Sequence, residues 1–256
     1  MSPAPSDHDR DLARAFDHQA AAFEAAKVQR DKESLARFVA FAAIPRGGRV
    51  LDAGCGPGLV AEAFLEGGCD ALGVDLSAEM IRRARARCER FGDRARFEQL
   101  SLFDLDLGEP LDAALSRNVI HHVEDPQAFV ERQAALVRPG GAVLAFDLVT
   151  DPEPAGRAFA HAIERDRDRT HVRTLTPGEL VDLLVRAGLE DVRLAEEPLL
   201  LDFDEWFDRG SPAVPKEAVR ARLVKGTARS FRPSARPDGG VDLRVARAMV
   251  RGTKPA

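Results

Sequence analysis

The sequence predicts an α/β fold built on a doubly wound parallel sheet. From residue 49 onward, short apolar runs that end at glycine or aspartate alternate with amphipathic segments that begin at helix-capping residues. Strands that are separated by helices pair in parallel through right-handed crossovers, and the helices then cover both faces of the sheet. The chain has 256 residues, 45% hydrophobic and 31% charged, which is enough for one sizeable core.

Two helices are predicted ahead of the first strand. Residues 1–8 are expected to form a disordered tail. Apolar residues then recur at steps of three and four over 9–28, which is typical of an amphipathic helix. A second helix is predicted over 33–43, and a proline and two glycines separate it from a buried strand at 49–53.

Helices and strands continue to alternate beyond the first strand. Ser77 is a helix N-cap after the second strand, and Asp125-Pro126 combines an N-cap with proline at the first helical position. These signals set helix boundaries between the apolar runs. The predicted order is helix 59–66, strand 71–75, helix 77–90, strand 95–100, strand 111–117, helix 126–137 and strand 142–148.

The C-terminal part combines one well-capped helix with two strands. Thr176 and Glu179 form a capping-box pair, which predicts a helix that ends at Gly188. Strands are predicted at 190–197 and 243–250, and the roughly 45 residues between them are rich in charge and proline. A stretch of that length between neighbouring strands is usually a functional insertion.

Composition and charge exclude several classes of function. The net charge is −5 and basic residues alternate with acids, so the sequence predicts no nucleic-acid binding; the arginine-rich helix at 82–87 is expected to present a solvated face. Cys55, Cys69 and Cys88 are odd in number and lack metal-ligand spacing, which predicts free thiols in a reducing compartment and no metal site. Without a secretion signal or a run of ~18 apolar residues, we expect a cytoplasmic protein with no membrane contact.

A glycine-rich bend follows the first strand. The segment VLDAGCGPG places Gly54, Gly56 and Gly58 where backbone can approach a ligand without β-carbon clashes. Asp75 ends the second strand seventeen positions beyond Gly58, where a nucleoside site has the carboxylate that binds ribose hydroxyls. The two signals together predict a nucleoside-containing cofactor.

The spacing of the bend argues against a dinucleotide. The dinucleotide fingerprint needs its third glycine three positions after the second, and Leu59 occupies that place. Asp52 lies two positions before Gly54, which suits a ligand with an α-ammonium group and no diphosphate. An NAD(P)-dependent oxidoreductase therefore remains only as a less favoured alternative.

The chain resembles the class I S-adenosylmethionine-dependent methyltransferases, and within them the group that includes the ubiquinone and menaquinone biosynthesis methyltransferases. The resemblance is strong over 48–148 and fixes fold and cofactor better than substrate. It implies a Rossmann-like methyltransferase sandwich of seven strands, the first five parallel and the last two forming a reversed edge hairpin. The segments that carry it are VLDAGCGPG, GVDLS at 73–77, AEMIRRARAR and SRNVIHHVEDP at 116–126.

The resemblance also implies roles for single residues. The glycines would lie under the methionine moiety, Asp75 would hold the ribose hydroxyls, and Asn118 would lie near the sulfonium. The chain departs from the family at the third strand, where Ser101 stands in place of the usual adenine-binding aspartate and Asp104 comes two or three positions late. The expected cofactor-binding residues are Asp52, Gly54, Cys55, Gly56, Gly58, Asp75, Leu76, Met80, Ser101, Leu102, Phe103, Asn118 and Phe23.

Two histidines are the candidates for catalysis. Methyl transfer depends mainly on alignment, and a base is needed only if the acceptor must lose a proton. His121 and His122 follow the fourth strand, at the sheet edge where ligands bind, so either could take that proton. The alternative is that they pack or hydrogen-bond structurally at this turn. Phe23, together with Phe16 on the first helix, either covers the cofactor as a lid or docks against the core.

We therefore predict a methyltransferase that uses S-adenosylmethionine, releases S-adenosylhomocysteine, and methylates oxygen, carbon or nitrogen of a small-molecule acceptor. The expected organisation is a pair of N-terminal helices at 1–44 and one Rossmann-like domain at 45–256 with insertions at 150–174 and 199–240. The helices and the insertions would cover the substrate. A non-catalytic protein that binds S-adenosylmethionine or S-adenosylhomocysteine is the main alternative, and the sequence leaves monomer and homodimer both open.

Overall fold

The computed structural model describes residues 6–26, 29, 31–226, 228 and 230–256. The strands are β1 (Arg49–Ala53), β2 (Asp70–Asp75), β3 (Ala95–Gln99), β4 (Leu111–Arg117), β5 (Val137–Val149), β6 (Glu190–Asp202), β7 (Phe231–Ala235) and β8 (Val241–Thr253). The helices in these ranges are α1 (Asp7–Ala25), α2 (Lys32–Ala42), α3 (Leu59–Glu66), α4 (Ala78–Cys88), α5 (Pro126–Leu136), α6 (Pro154–Arg167), α7 (Pro177–Arg186), α8 (Phe203–Asp208) and α9 (Lys216–Lys225).

All the strands join one sheet in the order β3-β2-β1-β4-β5-β8-β6, with β7 paired to β8. Strands β1 to β5 are parallel, while β8 runs antiparallel to both β5 and β6. The predicted α/β fold, its parallel strands and its reversed edge hairpin are confirmed. Because parallel strands end at the same edge, the loops after β1, β2, β3 and β4 converge on one side of the sheet.

The sheet has eight strands where the sequence predicted seven. Strand β7 pairs with residues 241–245 of β8, beyond the stretch of 246–253 that pairs with β5. Its sequence, FRPSA, contains a proline and lacks alternation, so it gives no strand signal; proline is tolerated because it lies at a sheet edge.

The predicted N-terminal tail is partly helical. Helix α1 begins at Asp7, because the Ser6 hydroxyl accepts from the Asp9 amide at 3.0 Å and the Asp9 carboxylate accepts from the Ser6 amide at 3.2 Å. The prediction of disorder over 1–8 is therefore wrong for residues 6–8. Residues 1–5 and the predicted helix end at 27–28 lie outside the described residues.

Helices cover both faces of the sheet. On one face, Phe38 of α2 is fully buried and contacts the rings of Phe64 and Phe146, with centroid distances of 6.2 and 5.4 Å. On the other face, Val130 of α5 and Leu180 of α7 are fully buried against the central strands. The result is a three-layer sandwich, and α2 is part of its core.

The two predicted insertions pack against each other. The polar segment after β5 forms α6, and the connection from β6 to β8 forms α8, α9 and β7. Their apolar side chains make a separate cluster that includes Ile163, Phe203, Trp206 and Val219. Within the described ranges, no helix is both long and apolar enough to cross a membrane.

Candidate active site

The bend after β1 is tied to the end of β2. The amides of Gly54 and Cys55 both donate to the carbonyl of Val74, at 2.8 and 3.0 Å. A β-carbon on Gly54 would lie 2.6 Å from Val119 Cγ2, and φ there is +73°, so only glycine fits. The bend therefore depends on glycine for space as well as for backbone conformation.

Asp75 holds the same bend from the side. Its Oδ2 accepts from the Gly56 amide at 2.8 Å, and its Oδ1 accepts from the Ser77 amide at 2.9 Å. Each carboxylate oxygen has a second lone pair that can accept from another donor. Asp75 is thus positioned by the backbone and remains able to bind hydroxyl groups.

A cavity of about 300 Å³ extends from this bend across the ends of the strands. Its volume falls at the lower end of the range for small-molecule sites. His121 and Gly58 do not line it; a β-carbon on Gly58 would lie 3.0 Å from Ala84, so this glycine allows α3 and α4 to approach. The predicted residues that line it are Phe23, Asp52, Gly54, Cys55, Gly56, Asp75, Leu76, Met80, Ser101, Leu102, Phe103, Asn118 and His122.

One end of the cavity is a mostly apolar slot. Leu76 and Met80 line it beside Phe103, whose side chain is 50% exposed. The Ser101 hydroxyl caps a short helical turn by accepting from the Phe103 amide at 3.3 Å, and it can still donate. Among the described residues, Ser101 is part of the lining and Asp104 is not.

The other end carries a buried acid. Asp52 is 1% exposed, and its Oδ2 accepts from the Ala61 amide at 3.1 Å. Burial, with the nearby charge of Asp75 adding to it, raises the pKa of Asp52 to about 7. A cationic group bound in the cavity would favour the ionised form, so this end suits an ammonium.

Helix α1 lies over the cavity. Its Asp17 Oδ1 accepts from the Ser77 hydroxyl at 2.6 Å and from the Glu79 amide at 3.1 Å, at the start of α4. Farther along α1, Glu24 forms ion pairs with Arg83 and Arg87. The expectation of a purely solvated face on the arginine-rich helix is therefore wrong for these two arginines. Phe16 and Phe23 of α1 both line the cavity.

The turn after β4 holds a histidine–aspartate pair. His121 Nδ1 donates to Asp147 Oδ1 at 2.5 Å, while Asp147 Oδ2 accepts from the amides of Val119 and Ile120 at 2.9 and 2.8 Å. Burial alone would lower the pKa of His121, but the charge and the hydrogen bond of Asp147 outweigh burial and raise it. In turn, His121 outweighs the effect of burial on Asp147 and lowers the pKa of that carboxyl.

His122 differs from its neighbour in the direction in which its pKa is shifted. Its Nδ1 lies 3.0 Å from the Thr170 carbonyl, which can only accept, so Nδ1 carries the proton and Nε2 the lone pair. Burial first, and then the charge of His121, lower the pKa of His122 to about 3. His122 is therefore neutral at physiological pH. Its ring packs edge-on against Phe16, with centroids 5.2 Å apart.

A second cavity, of about 60 Å³, adjoins the first. The two cavities share lining residues that include Phe16, Arg117, Asn118 and His122. His121 lines only the second, so the two predicted catalytic residues meet in the second cavity and only His122 reaches the first. The remaining wall of the second cavity comes largely from the insertions and β8, through Glu164, Arg167, Asp168, Leu199, Leu201, Trp206, Arg209, Val245 and Arg247.

Sequence reasoning missed Asp147, which positions His121. A carboxylate inside the apolar run AVLAFDLV was a usable signal, because buried acids are rare unless a partner satisfies them. It also missed Arg117, which stands at the end of the apolar strand β4. Both residues lie at the carboxyl edge of a parallel strand, where ligands bind.

We predict that Asp147→Asn destabilises the protein by about 1.5 to 3 kcal/mol at about pH 5, because His121 loses a charged hydrogen-bond partner. The contribution of the His121–Asp147 ion pair to stability is fully present below pH 6.5, the ordinary pKa of histidine. It is lost as pH rises through the raised pKa of His121. On the acid side, the same contribution is present above pH 3.8, the ordinary pKa of aspartate, and is lost as pH falls through the lowered pKa of Asp147.

Urea unfolding of wild type and variant at several pH values measures this difference. The difference in unfolding free energy should be largest between pH 3.8 and pH 6.5 and should shrink as pH rises further. A difference in unfolding free energy that does not change with pH would contradict the ion pair.

Comparison with known proteins identifies the family of the chain. The family model described as a methyltransferase domain matches residues 25–194. A ubiquinone biosynthesis O-methyltransferase of Cereibacter sphaeroides is 35% identical over 153 residues, which are 57% of this chain and 62% of that protein. This chain therefore spans less than two thirds of that relative's length.

Two solved structures share the fold. The YcgJ protein of Bacillus subtilis superposes with a TM-score of 0.78 at 24% identity, over 88% of this chain and 99% of that one. The 1,6-didemethyltoxoflavin-N1-methyltransferase of Burkholderia thailandensis, solved with its substrate and S-adenosylhomocysteine, gives a TM-score of 0.59 at 20% identity, over 100% and 93% of the chains. The family model covers more than half of the length of this chain, and the chain therefore belongs to the methyltransferase-domain family.

Proposed function

We propose that the protein transfers the methyl group of S-adenosylmethionine to an oxygen of a small-molecule acceptor. One observation carries the proposal. The cavity that joins the glycine bend to Asp75 and an apolar slot adjoins a second cavity, which is lined by His121, and Asp147 holds that histidine by a hydrogen bond. Family membership supports the reaction, and the O-methyltransferase relatives favour oxygen over carbon or nitrogen.

The first cavity fits the donor from end to end. The apolar slot beside Leu76 and Met80 suits an adenine ring, and the free lone pairs of Asp75 suit ribose hydroxyls. At the far end Asp52, whose pKa is raised to about 7 by burial, suits an α-ammonium group. Asn118 also lines this cavity and has a φ of +57°, in the left-handed region that asparagine adopts more readily than other residues with a side chain.

The bound sulfonium supplies a methyl group that is already activated. The protein's part is to align the acceptor oxygen with that methyl and to exclude water, and such orientation can contribute ~7 to 11 kcal/mol. Phe16 and Phe23 of α1 lie over the site. We assign to α1 and the two insertions the role of substrate cover, and to α2 a role in the core.

A base is needed because a hydroxyl must lose its proton as oxygen gains the methyl group. The Nδ1–H of His121 is held by Asp147, which leaves Nε2 with the lone pair and directs the ring toward the second cavity. We assign proton removal to this nitrogen. His122, with its pKa lowered to about 3, is the weaker base and lines the junction of the two cavities.

The state of the cysteines supports a cytoplasmic location. All three cysteines are free and buried, as in proteins of reducing compartments. We therefore place the protein in the cytoplasm.

The reaction is tested by incubating the protein with S-adenosylmethionine and a library of phenols, catechols and quinols, and by measuring S-adenosylhomocysteine release. A hydroxylated acceptor that gives product supports the proposal. Tight binding of the cofactor with no turnover on any acceptor would favour the non-catalytic alternative.

We predict that Asp75→Ala weakens S-adenosylhomocysteine binding by about 1 to 3 kcal/mol, because the ribose hydroxyls lose their acceptors. Calorimetric titration measures the change. Asp70→Ala, at the opposite end of the same strand, is the matched control and should leave the affinity unchanged. Equal affinities for wild type and Asp75→Ala would remove the ribose assignment.

Cofactor binding should release a proton through Asp52. At about pH 6, below its pKa of about 7, this carboxyl is mostly protonated, and an ammonium partner favours the ionised form. Calorimetry of S-adenosylhomocysteine in buffers of different ionisation enthalpy should show release of up to about one proton near pH 6 and little near pH 8. Asp52→Asn should abolish the release. Heats that are the same in every buffer would count against the assignment.

We predict that His121→Gln lowers kcat by ~10²- to 10⁴-fold, since the acceptor loses its base. Affinity for S-adenosylhomocysteine should stay constant, because His121 does not line the first cavity. In wild type, kcat/KM should rise with pH through a pKa above 6.5, because the base must be neutral and its pKa is raised. The exposed His18 provides the control His18→Gln. Full activity of His121→Gln would assign both histidines to structure.

A further inference from the structure

Arg117, at the end of β4, has one edge of its guanidinium group that makes no hydrogen bond within the described residues. Its side chain is 8% exposed and lines both cavities. Nη1 donates to the Gln29 carbonyl at 3.3 Å, whereas Nε and Nη2 are buried and have no hydrogen-bond partner among the described residues. These two nitrogens lie on the same edge of the guanidinium and donate in parallel. That edge matches the two oxygens of a carboxylate.

Asp52, Asp31 and Glu197 act on Arg117 through their charge, but among the described residues none of them forms an ion pair with it. Arg247 is 2% exposed, lines the second cavity, and pairs with Glu197 and the Ser34 hydroxyl. Arg117 and Arg247 lie on the same Phe146 ring, 5.8 and 4.6 Å from its centroid. The ion pairs of the described residues include none for Arg117. This end of the site therefore carries excess positive charge.

The acids of the second cavity are already engaged. Arg167 pairs with Asp168 at 3.4 Å and with Glu164 at 3.9 Å. Arg209 is 6% exposed and lines the same cavity, and within the described part of the chain no carboxylate forms an ion pair with it. The wall thus holds four arginines and two acids, which predicts that it binds an anion.

An unpaired buried cation is costly to a protein. Burial, followed by the charge of Arg247, lowers the pKa of Arg117 to about 10, so the guanidinium is still charged at physiological pH. Leaving such a charge without a partner strongly destabilises a fold. Buried polar atoms that lack partners in a native fold commonly mark a ligand that completes them.

The positive charge lies on the acceptor's side of the site. Arg209 and Arg247 line the second cavity alone. Among the described residues, neither the glycine bend nor Asp75 lines that cavity, so the donor's nucleoside end does not reach it. The second cavity also holds His121, where the acceptor hydroxyl has been assigned.

We propose that the methyl acceptor carries a carboxylate, and that the free edge of Arg117 binds this group in the second cavity. The inference rests on the proposed function and adds the substrate class to it. The apolar side chains of Leu199, Leu201 and Val245 would contact the body of the acceptor beside the arginines.

Calorimetry with small probes tests this proposal. Benzoate and benzamide have the same shape and differ in charge, and each is titrated into wild-type protein saturated with S-adenosylhomocysteine. We expect benzoate to bind at least about tenfold more tightly than benzamide, from charge-assisted hydrogen bonds. Equal binding of the two probes would overturn the proposal without any variant.

Substitutions then locate the carboxylate. Arg117→Gln and Arg117→Lys should each weaken benzoate binding by about tenfold or more. Glutamine removes the charge, and lysine removes the paired donors. Arg244→Gln, at an exposed position of β8, is the matched control and should bind benzoate as wild type does. Thermal melting of each variant verifies that it is folded.

Two outcomes separate this proposal from its rivals. If Arg117→Gln weakens S-adenosylhomocysteine binding tenfold and leaves benzoate binding unchanged, the free edge of Arg117 binds the donor's carboxylate. The acceptor proposal is then wrong. If wild type fails to bind S-adenosylhomocysteine at all, the proposed function itself fails. Cofactor binding without a preference for benzoate overturns only the acceptor class.

Discussion

The carboxylate of Asp147 organises the centre of this molecule. It lies at the end of β5 and accepts from the amides of Val119 and Ile120, so it fixes the turn that follows β4. The same carboxylate holds His121 through a hydrogen bond of 2.5 Å. One buried side chain therefore sets the backbone of the turn together with the tautomer and the orientation of His121.

The site is electrostatically divided along its length. Asp52 and Asp75 line only the first cavity and give the donor end a negative character, while Arg209 and Arg247 line only the second and give the other end a positive one. Both pairs are largely screened from water, and charges act more strongly on one another in such surroundings. A cationic donor and an anionic acceptor would each be attracted to its own end, which orders the two reactants before any chemistry occurs.

The family and the α/β fold were predictable because their signals are local. Each parallel strand is a short apolar run bounded by turn residues, and the glycine bend and Asp75 stand at the ends of two of them. Strand β7 was not predictable, because Pro233 suppresses the strand pattern and only pairing with β8 reveals it.

Much of the site depends on contacts between residues far apart in the sequence. Asp147 lies 26 positions from His121, and Glu197 lies 50 positions from Arg247. Neither pairing follows from spacing. A charged residue inside an apolar strand was the one local sign of such a partner, and Arg117 and Asp147 both show it.

The way in which α1 is attached has a consequence for ligand exchange. Only Gln19 and Ala20 of this helix are buried, and its contacts with α4 are mainly ionic and polar. Contacts of this kind are weakened by dissolved salt. We therefore expect the hold of α1 over the cavity, and with it the rate at which ligands exchange, to depend on ionic strength.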